Sequence, residues 1–260
     1  MKKFDVITSR ENSLIKLACL LQSSTKTRKE NGLFAIEGLR ICKDALENSI
    51  RFDKLIVSDT AMNKYFDDID LFSQNSNNCY RVPDSLFKKI SDTASPQGII
   101  AIAIMPDNKT NIINKNGRYI ALENVADPSN LGAVSRTAEA LGVSGIILSK
   151  GGCDPYSPKA LRASMGTLLR MPLIILDDFS TELKNSGIKT FACVVDSDAK
   201  SINDAEFCDG CAVIIGNEAN GITDSTKASS DELITIPMLG RAESLNAAVA
   251  AAISIWEMMK

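Results

Sequence analysis

The sequence of 260 residues contains no histidine. This absence excludes a Ser-His-Asp triad, a Cys-His nucleophile pair and any metal centre with histidine ligands. Any chemistry in this chain therefore relies on Arg, Lys, Glu, Asp, Ser, Asn or the backbone. No apolar run approaches the roughly 18 residues needed to cross a membrane. The opening MKKFDVITSRENS has lysines but no apolar core, so we expect no secretory signal, no membrane association and a cytoplasmic location.

Two common nucleotide-binding patterns are also missing, since the sequence has neither GxGxxG nor GxxxxGK followed by Ser or Thr. The seven cysteines, an odd number at irregular spacings, favour reduced thiols over a disulfide framework. Cys208 and Cys211 form one CxxC pair. Because a second pair and histidine are lacking, we expect ordinary half-buried cysteines and no metal centre.

The formal net charge of −3 is distributed unevenly along the chain. Residues 1–105 carry 15 Lys and Arg against 13 Asp and Glu, whereas residues 106–260 carry 14 against 19. The N-terminal excess is either a basic face that contacts phosphates or a solvated helix surface, and charge alone does not distinguish them. The cations among the first thirty residues are Lys2, Lys3, Arg10, Lys16, Lys26, Arg28 and Lys29.

A polar stretch with Pro and Gly separates two regions of alternating strand and helix signals, and we predict a linker at 106–117. Before it, residues 1–105 predict a small α/β domain that binds the substrate. Its strand-like runs are LFAIEG, KLIVSD, YRVP and GIIAIAI. Its helical segments are NSLIKLACLLQ, GLRICKDALEN and PDSLFKKI, with a further helix after Asp59.

Residues 118–260 alternate more clearly and predict a second α/β domain. Short runs rich in Ile, Val and Leu are expected for an open, mostly parallel sheet that is buried on both faces. The predicted strands are RYIALENV, GIILS, PLIIL, KTFACVVD, CAVIIG and LITIPM. The predicted helices are 128–141, 158–169, 180–186, 222–229 and 244–259.

Ligands of open α/β sheets bind outside the carboxyl ends of the strands, where three segments have unusual composition. The first is DPSNLGAVSRTAEALG. Asp127 and Ser129 are candidate helix caps, and Pro128 suits the first turn. Arg136 lies away from the apolar stripe of this helix. It is either the partner of Glu139 or another acid in a surface ion pair, or a clamp for a phosphate, whose oxygens suit the guanidinium fork.

The second segment, AVIIGNEANGI, runs from a buried strand into a turn. Gly216 permits close approach of the backbone to a ligand. Glu218 is either an acid at a helix start, where the helix dipole favours it, or a carboxylate of the site.

The third segment, ITIPMLGRAESLNAAVAAAISIWEMM, runs from a strand through a loop into an alanine-rich helix. Ser244 is a candidate N-cap of that helix. Asn246 is a poor residue for a helix interior unless it has a polar partner. Together with Asn130 and Asn217, it predicts a cluster of three asparagines at the ends of three strands.

These three segments, in this order, resemble the three motifs of the SpoU (TrmH) family of RNA 2′-O-ribose methyltransferases, part of the SPOUT superfamily. The segment SPKALRASMGTLLRMPL is similar to the family's intermediate segment. GLFAIEGLRICKDAL and SPQGIIAIA resemble the substrate-binding domain that many members carry. The resemblance covers nearly the whole chain, although Ser129 and Ala219 stand where the family frequently has Gly.

The resemblance implies a C-terminal methyltransferase domain with a deep trefoil knot, in which the loops of the second and third motifs hold S-adenosylmethionine. It also implies a homodimer with each active site near the subunit interface, where the helix at 244–259 packs. The catalytic positions that it carries over are Asn130, Arg136, Glu218, Ser244 and Asn246. The cofactor contacts, largely through the backbone, fall at Gly216, Asn217, Ile236 and Leu245.

The implied reaction is the in-line attack of a ribose 2′-oxygen on the methyl group of a sulfonium, for which the nucleophile must lose a proton. The family's proposed base falls on Arg136, but arginine stays protonated in proteins. A second hypothesis is that Arg136 clamps the adjacent phosphate and favours the developing alkoxide, while the proton leaves through a phosphate oxygen, water or Glu218. Asn130 and Asn246 then orient the ribose or the arginine. Ser244 either does the same or caps its helix.

The implied substrate is structured RNA, and the separate N-terminal domain of about 100 residues favours large-subunit ribosomal RNA over transfer RNA. Two other classes of protein remain as alternatives. One is a catalytically idle RNA-binding protein of the same fold, against which the five matching site residues weigh. The other is an enzyme with a nucleotide cofactor on an ordinary doubly wound sheet, against which the missing glycine pattern weighs.

Overall fold

The computed structural model describes residues 2–108 and 112–260, so part of the predicted linker at 106–117 lies outside the described residues. The chain divides into two compact units. The first comprises the chain up to Pro106 together with Tyr156–Arg170, and the second comprises Asp107–Pro155 and Met171–Lys260. A short segment of the C-terminal region, Tyr156–Arg170, thus packs with the N-terminal unit.

The elements alternate between strand and helix along most of the described chain. The strands are β1 (Asp5–Val6), β2 (Leu33–Glu37), β3 (Phe52–Ser58), β4 (Ser76–Val82), β5 (Ile99–Ile104), β6 (Arg118–Leu122), β7 (Gly145–Ser149), β8 (Leu173–Leu176), β9 (Lys189–Cys193), β10 (Lys200–Ser201), β11 (Cys211–Ile215) and β12 (Glu232–Thr235). The helices are α1 (Ser13–Ser23), α2 (Thr25–Asn31), α3 (Leu39–Glu47), α4 (Asp59–Lys64), α5 (Phe66–Gln74), α6 (Asp84–Ile90), α7 (Pro128–Ala140), α8 (Pro158–Ser164), α9 (Phe179–Asn185), α10 (Asp224–Ser229) and α11 (Ala247–Met259).

The first unit is built on a mixed five-stranded sheet of order β1-β4-β3-β5-β2. β5 runs antiparallel to both β2 and β3, whereas β3 and β4 are parallel. Leu21 of α1, Ile56 of β3 and Phe87 of α6 belong to one buried apolar cluster, so these two helices pack against the sheet. The strands and helices predicted between residues 12 and 104 are all present, because their apolar residues recur at the spacing of a strand or a helix.

Helix α2 was not predicted, because TKTRKEN has no apolar periodicity. Its ends are set by capping instead. The Ser24 side chain accepts a hydrogen bond from Thr27 N at the start, and Gly32 takes a left-handed φ of 61° at the end. Arg28 within this helix is buried and donates to Leu21 O and Thr25 Oγ1. It therefore does not contribute to a basic face of the N-terminal half.

The second unit contains a seven-stranded sheet of order β10-β12-β9-β11-β6-β7-β8, in which every neighbouring pair is parallel. Every residue of β7 and β11 is buried, as expected for central strands covered on both faces. The predicted open parallel sheet is therefore confirmed. Its carboxyl ends lead into the loops at 123–127, 216–222 and 236–246.

The bounds of two predicted helices differ most from the structure. The helix predicted at 158–169 ends at Ser164, because Met165 and Gly166 both take left-handed φ values, 51° and 90°. A separate 3-10 turn follows at Thr167–Leu169. The helix predicted at 244–259 begins only at Ala247.

Among the residues that the structure describes, no helix is both long and apolar enough to cross a membrane. The described residues also contain no group of three or more His, Cys, Asp and Glu side chains arranged to hold a metal ion.

Candidate functional site

The start of α7 lies at the carboxyl end of β6, where Asp127 is the N-cap. Its side chain accepts a hydrogen bond from Ser129 N at 2.9 Å, and Pro128 occupies the first helical position. The prediction of Ser129 as a cap is therefore wrong, because the backbone amide of Ser129 is the group that the Asp127 side chain caps. Asn130 in this first turn is only 7% exposed.

Asn130 joins the three strand-end loops. Its Nδ2 donates to Glu218 Oε1 at 2.7 Å, and its Oδ1 accepts from Asn246 Nδ2 at 3.1 Å. Both polar ends of the Asn130 side chain are thus satisfied by residues from distant parts of the sequence. The hydrogen-bonded chain Glu218–Asn130–Asn246 holds one residue from each of the three predicted segments.

Glu218 lies in a turn rather than at a helix start. The N-cap of the following helix, α10, is Thr223, so the interpretation of Glu218 as a helix-start acid is wrong. Besides Asn130, its carboxylate accepts hydrogen bonds from Ala126 N at 3.1 Å and Asp127 N at 3.2 Å. Partial burial raises the pKa of Glu218, but these donors outweigh it and hold the pKa below its ordinary value. Glu218 is therefore a carboxylate at neutral pH.

Asn217 stabilises the turn that carries Glu218. Its Oδ1 accepts from Ala219 N and Asn220 N, both at 3.0 Å, while its Nδ2 donates to Asn124 O at 2.8 Å. Its backbone pairs with Gly221 in both directions. The predicted cluster of three asparagines is therefore wrong in one member. The side chain of Asn217 is engaged by its own turn and by Asn124 O, and among the described residues it makes no hydrogen bond with Asn130 or Asn246.

The start of α11 differs from the prediction in a way that concerns the site. Asn246 is the N-cap of this helix, and its Oδ1 accepts from Ala248 N at 2.9 Å and Val249 N at 3.3 Å. Ser244 is consequently not the cap and lies exposed in the preceding loop. The same Asn246 side chain caps α11 with its oxygen and contacts Asn130 with its amide nitrogen.

A cavity of about 470 Å³ opens beside these loops. All four predicted cofactor positions lie on its wall, together with Glu218 and Ser244. Its remaining charged lining residues are Asp196, Lys227 and Glu243. The predicted residues on the wall are Gly216, Asn217, Glu218, Ile236, Ser244 and Leu245.

Gly216 is required for the shape of this wall. A Cβ atom at this position would lie 2.2 Å from the carbonyl carbon of Gly221 and 2.4 Å from Ile222 N. Because both are backbone atoms, they cannot rotate away. Gly216 thus permits the close approach of its own turn, and the predicted approach of its backbone to a ligand stays a prediction.

Arg136 lies outside the hydrogen-bonded chain. It is exposed on α7, and within residues 2–108 and 112–260 its guanidinium has neither an acid nor a hydrogen-bond acceptor as partner. The ion pair with Glu139 or another acid is thus not formed.

Sequence reasoning missed several residues around the cavity. Cys193 at the end of β9 and the three residues after it, up to Asp196, form part of its wall. The signal available was the acid that ends KTFACVVD. Glu123 and Asn124 follow β6, and their partners lie about a hundred positions further along the chain. An acid after a buried strand is a weak signal, because such positions are often solvated.

The fold and the site together define a class of protein. A parallel α/β unit with polar strand-end loops around one cavity, in a chain that also carries a mixed α/β unit, is the organisation of a SPOUT methyltransferase with a substrate-binding domain. Residues 117–256 match the model of the SpoU rRNA Methylase family, and residues 12–101 match the MRM3-like substrate binding domain. The chain belongs to the SpoU rRNA methylase family, so the expected family and fold class are confirmed.

Related proteins extend over nearly the whole chain. The 23S rRNA (guanosine(2553)-2′-O)-methyltransferase RlmP of Bacillus subtilis is 30% identical over 235 residues, which covers 90% of this chain and 91% of the relative. The 23S rRNA (uridine(2479)-2′-O)-methyltransferase of Streptomyces viridochromogenes is 26% identical over 264 residues, which covers 98% and 91%. The AdoMet-bound rRNA methyltransferase from Sinorhizobium meliloti superposes with a TM-score of 0.86 at 26% identity, covering 98% of this chain and 97% of that chain.

Proposed function

We propose that this chain transfers a methyl group from S-adenosylmethionine to a ribose 2′-hydroxyl of structured RNA, with large-subunit ribosomal RNA as the substrate. The observation that carries the proposal is the chain Glu218–Asn130–Asn246, which joins three strand-end loops beside one cavity. The two relatives described above are named as 23S rRNA 2′-O-methyltransferases, which supports both the reaction and the substrate.

The cavity fits S-adenosylmethionine in size and chemistry. Its volume of about 470 Å³ lies within the range of about 300 to 1,000 Å³ that small-molecule sites occupy. Ile215, Ile236 and Leu245 give it an apolar wall that suits a purine ring, and the nearby carboxylates Glu218 and Glu243 suit a cationic ligand. When bound, S-adenosylmethionine supplies an electrophilic methyl group on a positively charged sulfur.

We infer that Gly216, Asn217, Ile236 and Leu245 hold the cofactor largely through their backbone. The turn after Gly216 is already fixed by the hydrogen bonds of Asn217, so its backbone groups are ordered before a ligand enters. A wall ordered in advance reduces the entropy that binding must overcome.

Arg136 is the residue that we assign to the phosphate beside the reacting ribose. Its exposed guanidinium stays protonated and offers a bidentate fork to phosphate oxygens. A fixed positive charge there also stabilises the developing alkoxide. The proton of the ribose hydroxyl leaves through a phosphate oxygen, water or Glu218, whose carboxylate already accepts three hydrogen bonds from the protein.

The remaining site residues position the others. Asn130 and Asn246 are engaged with each other, so we assign them the task of holding the three loops in register. Ser244 does not cap α11, and its exposed hydroxyl on the cavity wall is available to the ribose or the cofactor.

We propose that two copies form a homodimer through α11. This helix packs against α7 and leaves an apolar stripe exposed, with Val249 46% and Trp256 56% exposed and Ile253 half-buried between them. Residues spaced by four and three positions lie on one face of a helix. An interface there brings α7, which carries Arg136, close to the second copy.

The first unit is proposed to bind folded RNA through its shape and phosphates. Its exposed cations, such as Arg40, Lys88 and Lys89, serve this purpose better than the buried Arg28.

We further propose the domain limits 1–105 and 118–260, the trefoil knot of the family in the second domain, and a cytoplasmic location, where ribosomal RNA is available. A crystal structure whose chain trace does not thread the loop after β11 would contradict the knot.

The test is methyl transfer from labelled S-adenosylmethionine to purified 23S ribosomal RNA and to transfer RNA, followed by mapping of 2′-O-methyl positions. We expect label at a single ribose of 23S RNA. Label in transfer RNA alone would overturn the proposal that ribosomal RNA is the substrate. Binding of S-adenosylmethionine and RNA without transfer would indicate the idle RNA-binding protein, and binding of NAD instead would indicate the nucleotide-cofactor enzyme.

A further inference from the structure

Glu123 is a buried acid with no ionic partner among the described residues. It directly follows β6 and is 4% exposed. Its carboxylate accepts hydrogen bonds from Thr223 N at 2.9 Å, Thr223 Oγ1 at 2.7 Å and Thr226 Oγ1 at 2.7 Å. Burial of a carboxylate is costly unless its oxygens are hydrogen-bonded, and here neutral donors satisfy both of them.

These contacts place Glu123 at both ends of the loop 216–222. Its amide donates to Ile215 O at 2.9 Å, at the last residue of β11. Its side chain holds Thr223, which is the N-cap of α10. The loop between Ile215 and Thr223 carries Glu218 and forms one wall of the cavity. One residue thus anchors the entrance and the exit of that wall.

The residues after Glu123 continue the same pairing. Asn124 takes a left-handed φ of 54°, and its carbonyl accepts from Asn217 Nδ2. Ala126 N and Asp127 N then donate to Glu218. The segment 123–127 therefore contacts the loop along its length, and Glu123 supplies the contacts at its two ends.

We propose that Glu123 is a positioning residue for methyl transfer, which fixes the loop 216–222 so that the cavity wall and Glu218 are in place before the cofactor binds. The proposal rests on the proposed binding of S-adenosylmethionine in this cavity. Glu123 itself does not line the cavity. Its role is geometric, so it depends on hydrogen bonds and not on negative charge.

Glu123→Gln and Glu123→Ala distinguish the contribution of the hydrogen bonds of Glu123 from that of its negative charge. A glutamine oxygen can accept from Thr223 N, and its amide can donate to the two threonine hydroxyls, which are free to rotate. Alanine removes the acceptor of Thr223 N and of Thr226 Oγ1, whereas Thr223 Oγ1 still has Ser225 Oγ and Thr226 Oγ1 within hydrogen-bond distance. Thr226→Val removes a single hydroxyl with little change of shape.

The second unit also offers a matched control. Asp231 Oδ2 accepts from Thr190 N and Thr190 Oγ1, both at 2.8 Å, at the amino end of β9. Asp231→Ala therefore removes a comparable carboxylate–threonine contact in the same sheet. This contact lies at the amino ends of the strands, whereas the cavity lies at their carboxyl ends.

Cofactor affinity by calorimetry, steady-state kinetics and thermal unfolding are measured for each variant. We expect Glu123→Ala to weaken binding of S-adenosylmethionine about tenfold, with the KM for RNA unchanged. Glu123→Gln is expected to remain within about threefold of the wild type, and Thr226→Val to lie between the two. Asp231→Ala should lower the Tm but leave cofactor affinity within about twofold.

Three outcomes would overturn the proposal: wild-type affinity in Glu123→Ala, equal losses in the Gln and Ala variants, or an equal loss in Asp231→Ala. Amide hydrogen exchange of residues 216–223 without cofactor tests the anchoring independently, and Glu123→Ala should exchange faster than the wild type. Unchanged exchange would also refute the proposal. Failure of the wild-type protein to bind S-adenosylmethionine would instead contradict the proposed function.

Discussion

Glu218 and Arg136 are the two charged residues of the proposed catalytic set, and their surroundings differ. Three donors hold the Glu218 carboxylate, whereas the exposed Arg136 guanidinium has no partner among the described residues. A group that is hydrogen-bonded within the protein contributes to the stability of the fold. An exposed and unpaired group contributes mainly to the binding of ligands. The two residues should therefore respond differently to substitution.

Glu218→Gln should destabilise the protein in a pH-dependent way. The folded-state pKa of Glu218 lies below its ordinary value of 4.5, so the unfolded chain takes up the proton first as the pH falls. The stabilisation is therefore present above pH 4.5 and disappears as the pH falls through the folded pKa. We expect a lower Tm than wild type at about pH 7, with the difference narrowing as the pH falls below 4.5. The effect is small because solvent screens an exposed carboxylate. A difference that stays constant across this range would contradict the prediction.

Arg136→Lys and Arg136→Ala should both slow methyl transfer without changing the Tm or the affinity for S-adenosylmethionine. Lysine keeps the charge but lacks the fork that grips two phosphate oxygens, so we expect a loss of about tenfold or more in kcat/KM. Single-turnover rates over a pH series provide the measurement. If lysine restored most of the rate with a lowered pH optimum, Arg136 would act as a base instead of a clamp.

At the scale of elements, the turn after β11 depends on two glycines for different reasons. Gly216→Ala would place a Cβ within 2.5 Å of backbone atoms of Gly221 and Ile222, whereas nothing lies within 4 Å of a Cβ at Gly221, whose φ is +67°. We expect Gly216→Ala to cost about 3 kcal/mol and to abolish cofactor binding, because the cavity wall must move. Gly221→Ala serves as the control, with about 1 kcal/mol of backbone strain and retained binding. Calorimetric binding and chemical denaturation test both, and equal effects of the two changes would refute the steric argument.

The start of α11 separates capping from positioning. Asn246→Asp keeps an oxygen that caps Ala248 N and adds a negative charge near the helix N-terminus, so the free energy of unfolding should change by less than about 0.5 kcal/mol. The amide donor to Asn130 is lost, however, so we expect slower methyl transfer. Asn246→Ala removes both contacts and should also cost about 1 kcal/mol of stability. An Asp variant with full activity would show that the contact with Asn130 is dispensable.

At the scale of the whole molecule, dimerisation should depend on the exposed stripe of α11. Trp256→Glu puts a charge at the most exposed large position of the stripe and should convert the proposed dimer into monomers. Sedimentation velocity measures the change. Leu71→Glu provides the control, because Leu71 is similarly exposed, at 48%, but lies on α5 of the first unit. A wild-type monomer, or an equal effect of Leu71→Glu, would refute the assignment of the interface.

Much of the architecture follows from local sequence patterns. The predicted strands of both sheets and the helices beside them are present, because apolar spacing reports burial directly. The predictions are wrong at helix ends, where the conformation or the capping of a single residue decides the boundary. Met165 and Gly166 break a predicted helix through left-handed backbone, and Asn246 displaces Ser244 as the cap of α11. Packing of Tyr156–Arg170 with the first unit leaves no local trace in the sequence.

The sequence by itself determined the chemistry available to this protein and the order of its elements. The absence of histidine, the alternation of strand and helix and the three strand-end segments are all readable without a structure. Only the tertiary structure decided which of those residues meet. Glu218 and Asn130 are 88 positions apart, and Asn130 and Asn246 are 116 apart. Local periodicity extends over a few residues, whereas contacts at such separations depend on which strands lie side by side in the sheet. The same reason explains Glu123, whose threonine partners lie about 100 positions away and became visible only in the folded sheet.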